Sequence, residues 1–159
     1  MGIHSCTMST IKICIVTSPG GHLFQMYRLK PWWGKYTHFW VTASSEDAAS
    51  LLVGEKVYHG YFPESRNPWN AFHNIFLAWK VLRREKPTLL ISCGAGIAPP
   101  FFYVGKILGI KLIFIEPYDF VCYSSLSGKL VAPIVDELLV QHKEQLPFFR
   151  NAKYKGSLL

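Results

Sequence analysis

The run Ile11–Leu29 constrains the fold more than any other stretch. Its first part, Ile11–Ser18, is apolar and β-branched, as suits a strand buried on both faces of a parallel sheet. Pro19, Gly20 and Gly21 interrupt it, and Leu23, Met26, Tyr27 and Lys30 then recur at helical spacing. The stretch reads as strand, glycine turn and helix N-terminus. Such a junction directs backbone N–H groups and the positive end of a helix dipole outward, an arrangement suited to a phosphate.

The remaining chain repeats this alternation. Thr37–Ala43 reads as a second strand, and Ser44 or Ser45 caps a short helix with Glu46 and Asp47 in its first turn. Lys56–His59 is a short third strand, and Gly60–Asn67 a loop. Asn67 caps and Pro68 opens a long helix that runs to about Glu85 and stops before Pro87. Thr88–Cys93 is the fourth strand, followed at once by Gly94-Ala95-Gly96. Pro99-Pro100 marks the first turn of another helix, and Gly109 can end it. Strands at Lys111–Ile115, Glu137–Val140 and Ala152–Tyr154 complete the pattern, with helical segments over Ser125–Ala132 and Lys143–Phe149. The first helix is expected to end near Pro31, leaving Trp32–Tyr36 as a turn.

Strand alternating with helix predicts an α/β fold: a Rossmann-like, doubly wound, mainly parallel sheet with right-handed crossovers. The 159 residues suit a single domain over 11–159, with Met1–Thr10 as a flexible tail. In strand order 3-2-1-4-5-6 the sheet changes its direction of winding between strands one and four, and ligands bind outside that crevice. The turns Pro19–His22 and Gly94–Gly96 follow those two strands, and Glu116 ends the fifth. Three separated pieces of chain therefore converge on one sheet edge.

Charge narrows the partners. Seventeen basic against ten acidic residues give +7, which favours anions: nucleic acid, anionic lipid or phosphorylated sugar. No RNP-like, KH or helix-turn-helix pattern is present, so nucleic acid is not expected. The four cysteines form no CxxC pair and no Cys/His cluster with zinc spacing, so no metal is expected. Cys14 and Cys93 fall within strands as small buried thiols, consistent with a reduced, cytoplasmic compartment. Met1–Thr10 lacks the apolar run of a signal peptide. Prolines, glycines and lysines break up Ile97–Ile115, the most apolar window, which argues against a membrane span there.

Each convergent piece has a plainer alternative. Gly20-Gly21 can be no more than a tight turn. In Gly94-Ala95-Gly96 the third position of the dinucleotide fingerprint is taken by Pro99, and no P-loop occurs, so no nucleotide cofactor is expected. His22 is the candidate general base: at a helix N-terminus the dipole disfavours the imidazolium, and a neutral imidazole can take a proton from a hydroxyl. A capping or packing histidine is the alternative. Glu116 is a candidate to orient His22 or a sugar hydroxyl, or else a solvated strand-end carboxylate.

The helix after Asn67 has Trp69, Phe72, Phe76 and Trp79 along one side, with Ala71, Ile75, Ala78 and Leu82 beside them and Lys80, Arg83 and Arg84 at the border. This apolar arc is wider than a surface helix needs. Aromatics edged by cations suit the interface of an anionic membrane. Burial in the core or under a partner is the alternative. Trp32, Trp33 and Lys35 extend the interfacial reading.

Several of these residues together resemble a known family. They are Ser18–His22, Ala78–Arg83 with Glu85-Lys86-Pro87, Gly94-Ala95-Gly96 with Pro99-Pro100-Phe101, Ile115-Glu116, Ser127–Leu130 with Pro133, and Gly156-Ser157. The chain resembles bacterial capsule and exopolysaccharide proteins that form one half of a split glycosyltransferase. It is similar, through them, to the membrane-anchoring subunit of the eukaryotic two-part UDP-GlcNAc transferase of lipid-linked oligosaccharide synthesis. The resemblance implies the N-terminal, acceptor-side half of a GT-B enzyme, with a partner subunit that carries most of the UDP-sugar site. By similarity to the single-chain peptidoglycan N-acetylglucosaminyltransferase, Gly20, Gly21 and His22 match a first acceptor loop, with Ser18 beside it. Gly94, Ala95 and Gly96 match a second loop, and Glu116 a strand-end glutamate. The implied partners are a lipid-linked sugar acceptor, a UDP-sugar donor and the cytoplasmic face of the cell membrane, held peripherally.

Two departures stand out. Ser18-Pro19 precedes the glycines, so fewer amides are free for phosphate, and the eukaryotic relative has an N-terminal membrane span that is not expected here. Two further readings remain at this stage: a non-catalytic scaffold that recruits the catalytic partner to membrane, and an unrelated nucleotide-binding α/β protein.

Overall fold

The structure, a computed structural model, describes residues 11–63 and 67–159. The tail expected over Met1–Thr10 and residues 64–66 of the loop before Pro68 lie outside the described residues.

Among the described residues seven strands form one sheet in the order β3-β2-β1-β4-β5-β6-β7, with parallel pairing throughout. They are β1 (Lys12–Val16), β2 (Thr37–Thr42), β3 (Val57–His59), β4 (Leu89–Ser92), β5 (Lys111–Ile115), β6 (Glu137–Val140) and β7 (Ala152–Tyr154). The expected strand order is found, with β7 added beyond β6. The helices are α1 (Gly21–Arg28), α2 (Lys30–Trp33), α3 (Glu46–Leu51), α4 (Pro68–Glu85), α5 (Ala98–Ile107) and α6 (Leu126–Val131). A 3-10 helix, rather than an α-helix, spans Lys143–Phe148.

Alternation along the strands divides the core in two. Cys14, Val16, Phe39 and Leu90 face Ala78, Leu82 and Phe101 from α4 and α5. On the opposite face Ile13, Ile15, Trp40 and Ile91 meet Leu23, Met26 and Trp33 from α1 and α2. Burial on both faces is why the strands are apolar at consecutive positions rather than at every second one. Each fully buried aliphatic or aromatic side chain contributes about 1.5–3 kcal/mol.

Two expectations are corrected. The first helix does end near Pro31, at Arg28, but Trp32 and Trp33 are not in a turn: the chain restarts as α2 with Pro31 in its first turn, where the lost N–H had no helical partner anyway. Trp33 leaves the membrane-facing set. It is 1% exposed, stacks edge-on with Trp40 at 5.3 Å between centroids, and donates its Nε1–H to the Met26 carbonyl at 2.9 Å.

Helix α4 begins as its residues dictate. The Asn67 side chain accepts from the Asn70 N–H at 3.1 Å, a cap worth about 1 kcal/mol, and Pro68 supplies the first turn. The helix ends on Lys86, in the left-handed conformation with φ 48°, immediately before Pro87. At that end, buried Glu85 accepts from Lys12 Nζ at 2.8 Å, Lys56 Nζ at 2.7 Å and the Tyr58 hydroxyl at 2.5 Å, tying α4 to β1 and to the β3 edge. Burial opposes ionisation of this carboxyl, but the hydrogen bonds from Lys12, Lys56 and Tyr58 prevail and hold it down to about 2.

Candidate active-site cleft

The C-terminal ends of β1 and β4 carry the two glycine corners. After β1, Thr17 and Ser18 are buried, Gly20 takes φ +80° and α1 starts at Gly21. After β4, the Gly94 N–H donates to Ser92 Oγ at 3.0 Å, and Gly94 and Ala95 both have positive φ, 101° and 68°. An alanine in that region costs about 1–2 kcal/mol, so the surrounding packing must hold this corner in place.

The two corners meet. A β-carbon built on Gly94 falls 3.4 Å from His22 Cδ2 and 2.9 Å from Pro117 Cγ. Only a residue without a side chain fits between the imidazole and the loop that follows β5. Ser18, His22, Ala95 and Gly96 then form one side of a cleft of about 690 Å³. Asn67, Pro68 and Ala71 of the α4 start form another side, with Pro99 and Pro100 of α5. Phe120, Ser125, Leu126, Ser127 and Leu130 close it from the loop after β5 and from α6. Of the described residues that line the cleft, His22 is the one with a titrating side chain. The rest is apolar surface with a few hydroxyls and an amide, the usual make-up of a small-molecule site.

The phosphate reading of the first corner needs revision in one detail. The Gly20 N–H donates to Asp47 Oδ2 at 2.5 Å, so this amide is already committed to a carboxylate of α3. Hydrogen bonds from Ser45 and from the Gly20 N–H hold the Asp47 carboxyl below its ordinary range. At the second corner, Pro99 and Pro100 bring rings rather than N–H groups to the start of α5.

Glu116 is neither solvated nor part of the cleft lining. It is 0% exposed. Its Oε1 accepts the Ser125 N–H at 2.5 Å and its Oε2 the Ser125 hydroxyl at 3.0 Å. Burial raises its carboxyl to about 7 against the pull of those hydrogen bonds. Burial pushes the nearby Cys93 thiol above its ordinary range as well, with the Glu116 charge adding to the effect, so Cys93 is an inert core thiol.

Three buried glutamines that the sequence did not flag hold this region together. Gln25 of α1 accepts from Cys93 Sγ, the Tyr118 N–H and Gln141 Nε2 through one oxygen. Gln141 also donates to the Glu116 carbonyl. Gln145 donates to the Pro117 and Phe120 carbonyls and accepts from the Gln141 and His142 N–H groups. The loop from Glu116 to Phe120 is thereby fixed against α1, the helix that carries His22.

The aromatic side of α4 is exposed rather than buried. Trp69 is 73% exposed and Phe76 60%, and Phe72 and Trp79 are open as well. Phe72 and Phe76 stack edge-on at 4.8 Å, and the Arg83 guanidinium lies 5.4 Å from the Trp79 ring. Lys80 is exposed on the same helix, whose opposite face, with Asn74, Ala78, Val81 and Leu82, is buried. Among the described residues no helix is long and apolar enough to cross a membrane.

Residues 65–158 match the model of a family described as oligosaccharide biosynthesis protein Alg14 like. The chain belongs to this family. A UDP-N-acetylglucosamine transferase subunit ALG14 of Candida albicans is 26% identical over 99% of this chain and 80% of its own length. A subunit of the same name from Schizosaccharomyces pombe is 38% identical over 34% of this chain and 27% of its own length. Among solved structures, MurG of Acinetobacter baumannii superposes with a TM-score of 0.75 at 13% identity, over 92% of this chain and 45% of that one. The UDP-N-acetylglucosamine 2-epimerase of Rickettsia bellii gives 0.75 at 14% identity, over 94% and 45%. The chain thus spans under half the length of those two proteins, and the likeness places its fold among Rossmann-like domains of the GT-B kind. The family and its relatives make this chain a glycosyltransferase-related subunit.

Proposed function

We propose that this chain is the acceptor-side subunit of a two-part, inverting, metal-independent glycosyltransferase. In this reading it binds a polyprenyl-diphosphate-linked sugar at the cytoplasmic membrane face, during synthesis of a capsule or exopolysaccharide. A separate catalytic subunit presents the UDP-sugar. One observation carries the reading: the His22 ring lies against Gly94, so that both glycine corners open into one cleft in a member of this family.

The chemistry follows from that position. His22 takes the proton of the acceptor hydroxyl as its oxygen forms the new bond to the anomeric carbon of the donor. UDP leaves from the opposite face, which inverts the centre. The amides around Gly21 and those of Ala95 and Gly96 hold the acceptor diphosphate, while the Gly20 and Gly94 amides keep their bonds to Asp47 and Ser92. The aromatic side of α4 faces the bilayer, with Lys80 and Arg83 beside anionic headgroups. Pro68 and Ala71 of the cleft lie in the same turns as Trp69 and Phe72, so a carrier lipid leaving the cleft passes onto that side.

The test combines purified chain, partner subunit, UDP-N-acetylglucosamine and lipid-linked acceptor. The chain alone is inactive, the pair transfers sugar, and His22→Ala lowers kcat at least 100-fold with folding intact. Transfer at full rate by the His22→Ala pair removes the base.

A second reading is favoured by the exposed aromatics: the chain recruits the catalytic subunit to membrane without taking part in chemistry. It predicts that transfer in detergent survives loss of His22 but that vesicle binding depends on Trp69 and Phe76.

A further inference from the structure

Glu116 is fully buried, yet its carboxylate spends both oxygens on one residue of the cleft wall. That residue, Ser125, is the N-cap of α6. Its Oγ accepts the Gly128 N–H at 2.9 Å while giving its own proton to Glu116. The contact leaves no room for a larger residue, because a β-carbon on Gly128 would overlap the Glu116 carboxylate. Ser125, Leu126, Ser127 and Leu130 all line the cleft, and the Ser127 hydroxyl lies 3.4 Å from Ser125 Oγ. This part of the cleft wall is therefore set by a group that does not itself line the cleft.

We infer that Glu116 is a positioning residue which, through Ser125, holds the α6 wall as the subsite for the acceptor sugar. The wall offers hydroxyls and apolar side chains and, among the described residues lining the cleft, no cation to hold a phosphate, so it suits the neutral hydroxyls and apolar faces of a sugar ring, with Ser127 as a polar contact. The diphosphate is left to the corners around His22. The inference rests on the glycosyltransferase reading and assigns its acceptor sugar to a named surface.

The experiment uses the complex with its partner, UDP-N-acetylglucosamine and lipid-linked acceptor. Glu116→Ala and Ser125→Ala each raise the acceptor KM about tenfold, with donor KM within twofold and kcat within threefold. Because one acts through the other, the double variant is no worse than the poorer single one. Glu116→Gln stays within threefold of the parent: its oxygen accepts the Ser125 N–H, and its amide donates to Ser125 Oγ, which keeps the Gly128 bond. Additive losses, equal damage to donor KM, or a Glu116→Gln as poor as Glu116→Ala overturn the inference. Amide exchange at Ser125 and Gly128 provides a readout independent of activity. It rises in Glu116→Ala and not in Glu116→Gln if Glu116 holds the wall. Unchanged protection in Glu116→Ala overturns the positioning role. If the parent complex transfers no sugar, the functional reading itself fails, and the exchange result still decides what Glu116 does.

Discussion

The imidazole of His22 crowds Gly94 at the mouth of the sheet: a β-carbon added to Gly94 would fall 3.4 Å from His22 Cδ2 and 2.9 Å from Pro117 Cγ. Gly94 has φ +101°, so it supplies both a left-handed backbone and the space for the ring. Gly94→Ala is expected to cost about 1–3 kcal/mol, from the strained backbone and from the clash with Pro117. It also displaces His22, so transfer by the reconstituted pair falls more than the stability loss alone accounts for. Denaturant midpoints measured beside kcat separate the two effects.

Glu116 makes stability depend on pH near neutrality. Its folded-state carboxyl titrates at about 7, above the ordinary 4.5, so the folded chain binds the extra proton between those values. The contribution of Glu116 is fully present below about 4.5, falls as pH rises toward 7 and is then lost, a change on the order of 3 kcal/mol. Asp119 adds to the upward shift and Lys129 opposes it, and Cys93 stays neutral beside them. In Glu116→Gln the slope over this window disappears, which urea titrations from pH 4.5 to 8 test directly.

Glu85 acts in the opposite sense and in a different window. Its folded-state value of about 2 lies below the ordinary 4.5, so its contribution is present above about 4.5 and is lost as pH falls toward 2. Lys12 and Lys56 are partly open to solvent, which limits the effect to about 1–2 kcal/mol. Glu85→Gln flattens the acid limb of the stability curve and leaves the neutral limb to Glu116.

The aromatic side of α4 touches little of its own chain. Trp69→Ser with Phe76→Ser is expected to change stability by less than about 1 kcal/mol in total. The same pair of changes releases the chain from vesicles containing anionic lipid in a flotation assay. Retention on the vesicles by the double variant removes α4 as the contact surface.

Much of this architecture was legible because it is local. Lys12–Val16 is a buried strand by composition, Gly20-Gly21 breaks it, and Asn67-Pro68 and Ser125 announce helix starts, all within a few residues. Strand order followed from alternation of strands with helices and the handedness of crossovers. What escaped reading is long-range. Gln25 meets residues 68, 93 and 116 positions away, and Asp47 reaches Gly20 across 27. A glutamine in a helix carries no mark of a partner in another strand. Glu116 was visible as a candidate, but its role depended on Ser125 turning back to meet it. The α4 aromatics admitted core or surface, and only the packing of Asn74, Ala78, Val81 and Leu82 against the sheet side decided the matter.

The outermost strands, β3 and β7, are three residues long each. A rim so brief offers few open N–H and C=O groups to a foreign strand, and Lys153 adds a charge to one of them. Continuation of the ladder from one molecule into the next is thereby discouraged at both margins. Side chains and loops therefore offer a second polypeptide more to hold than the two margins of the sheet do.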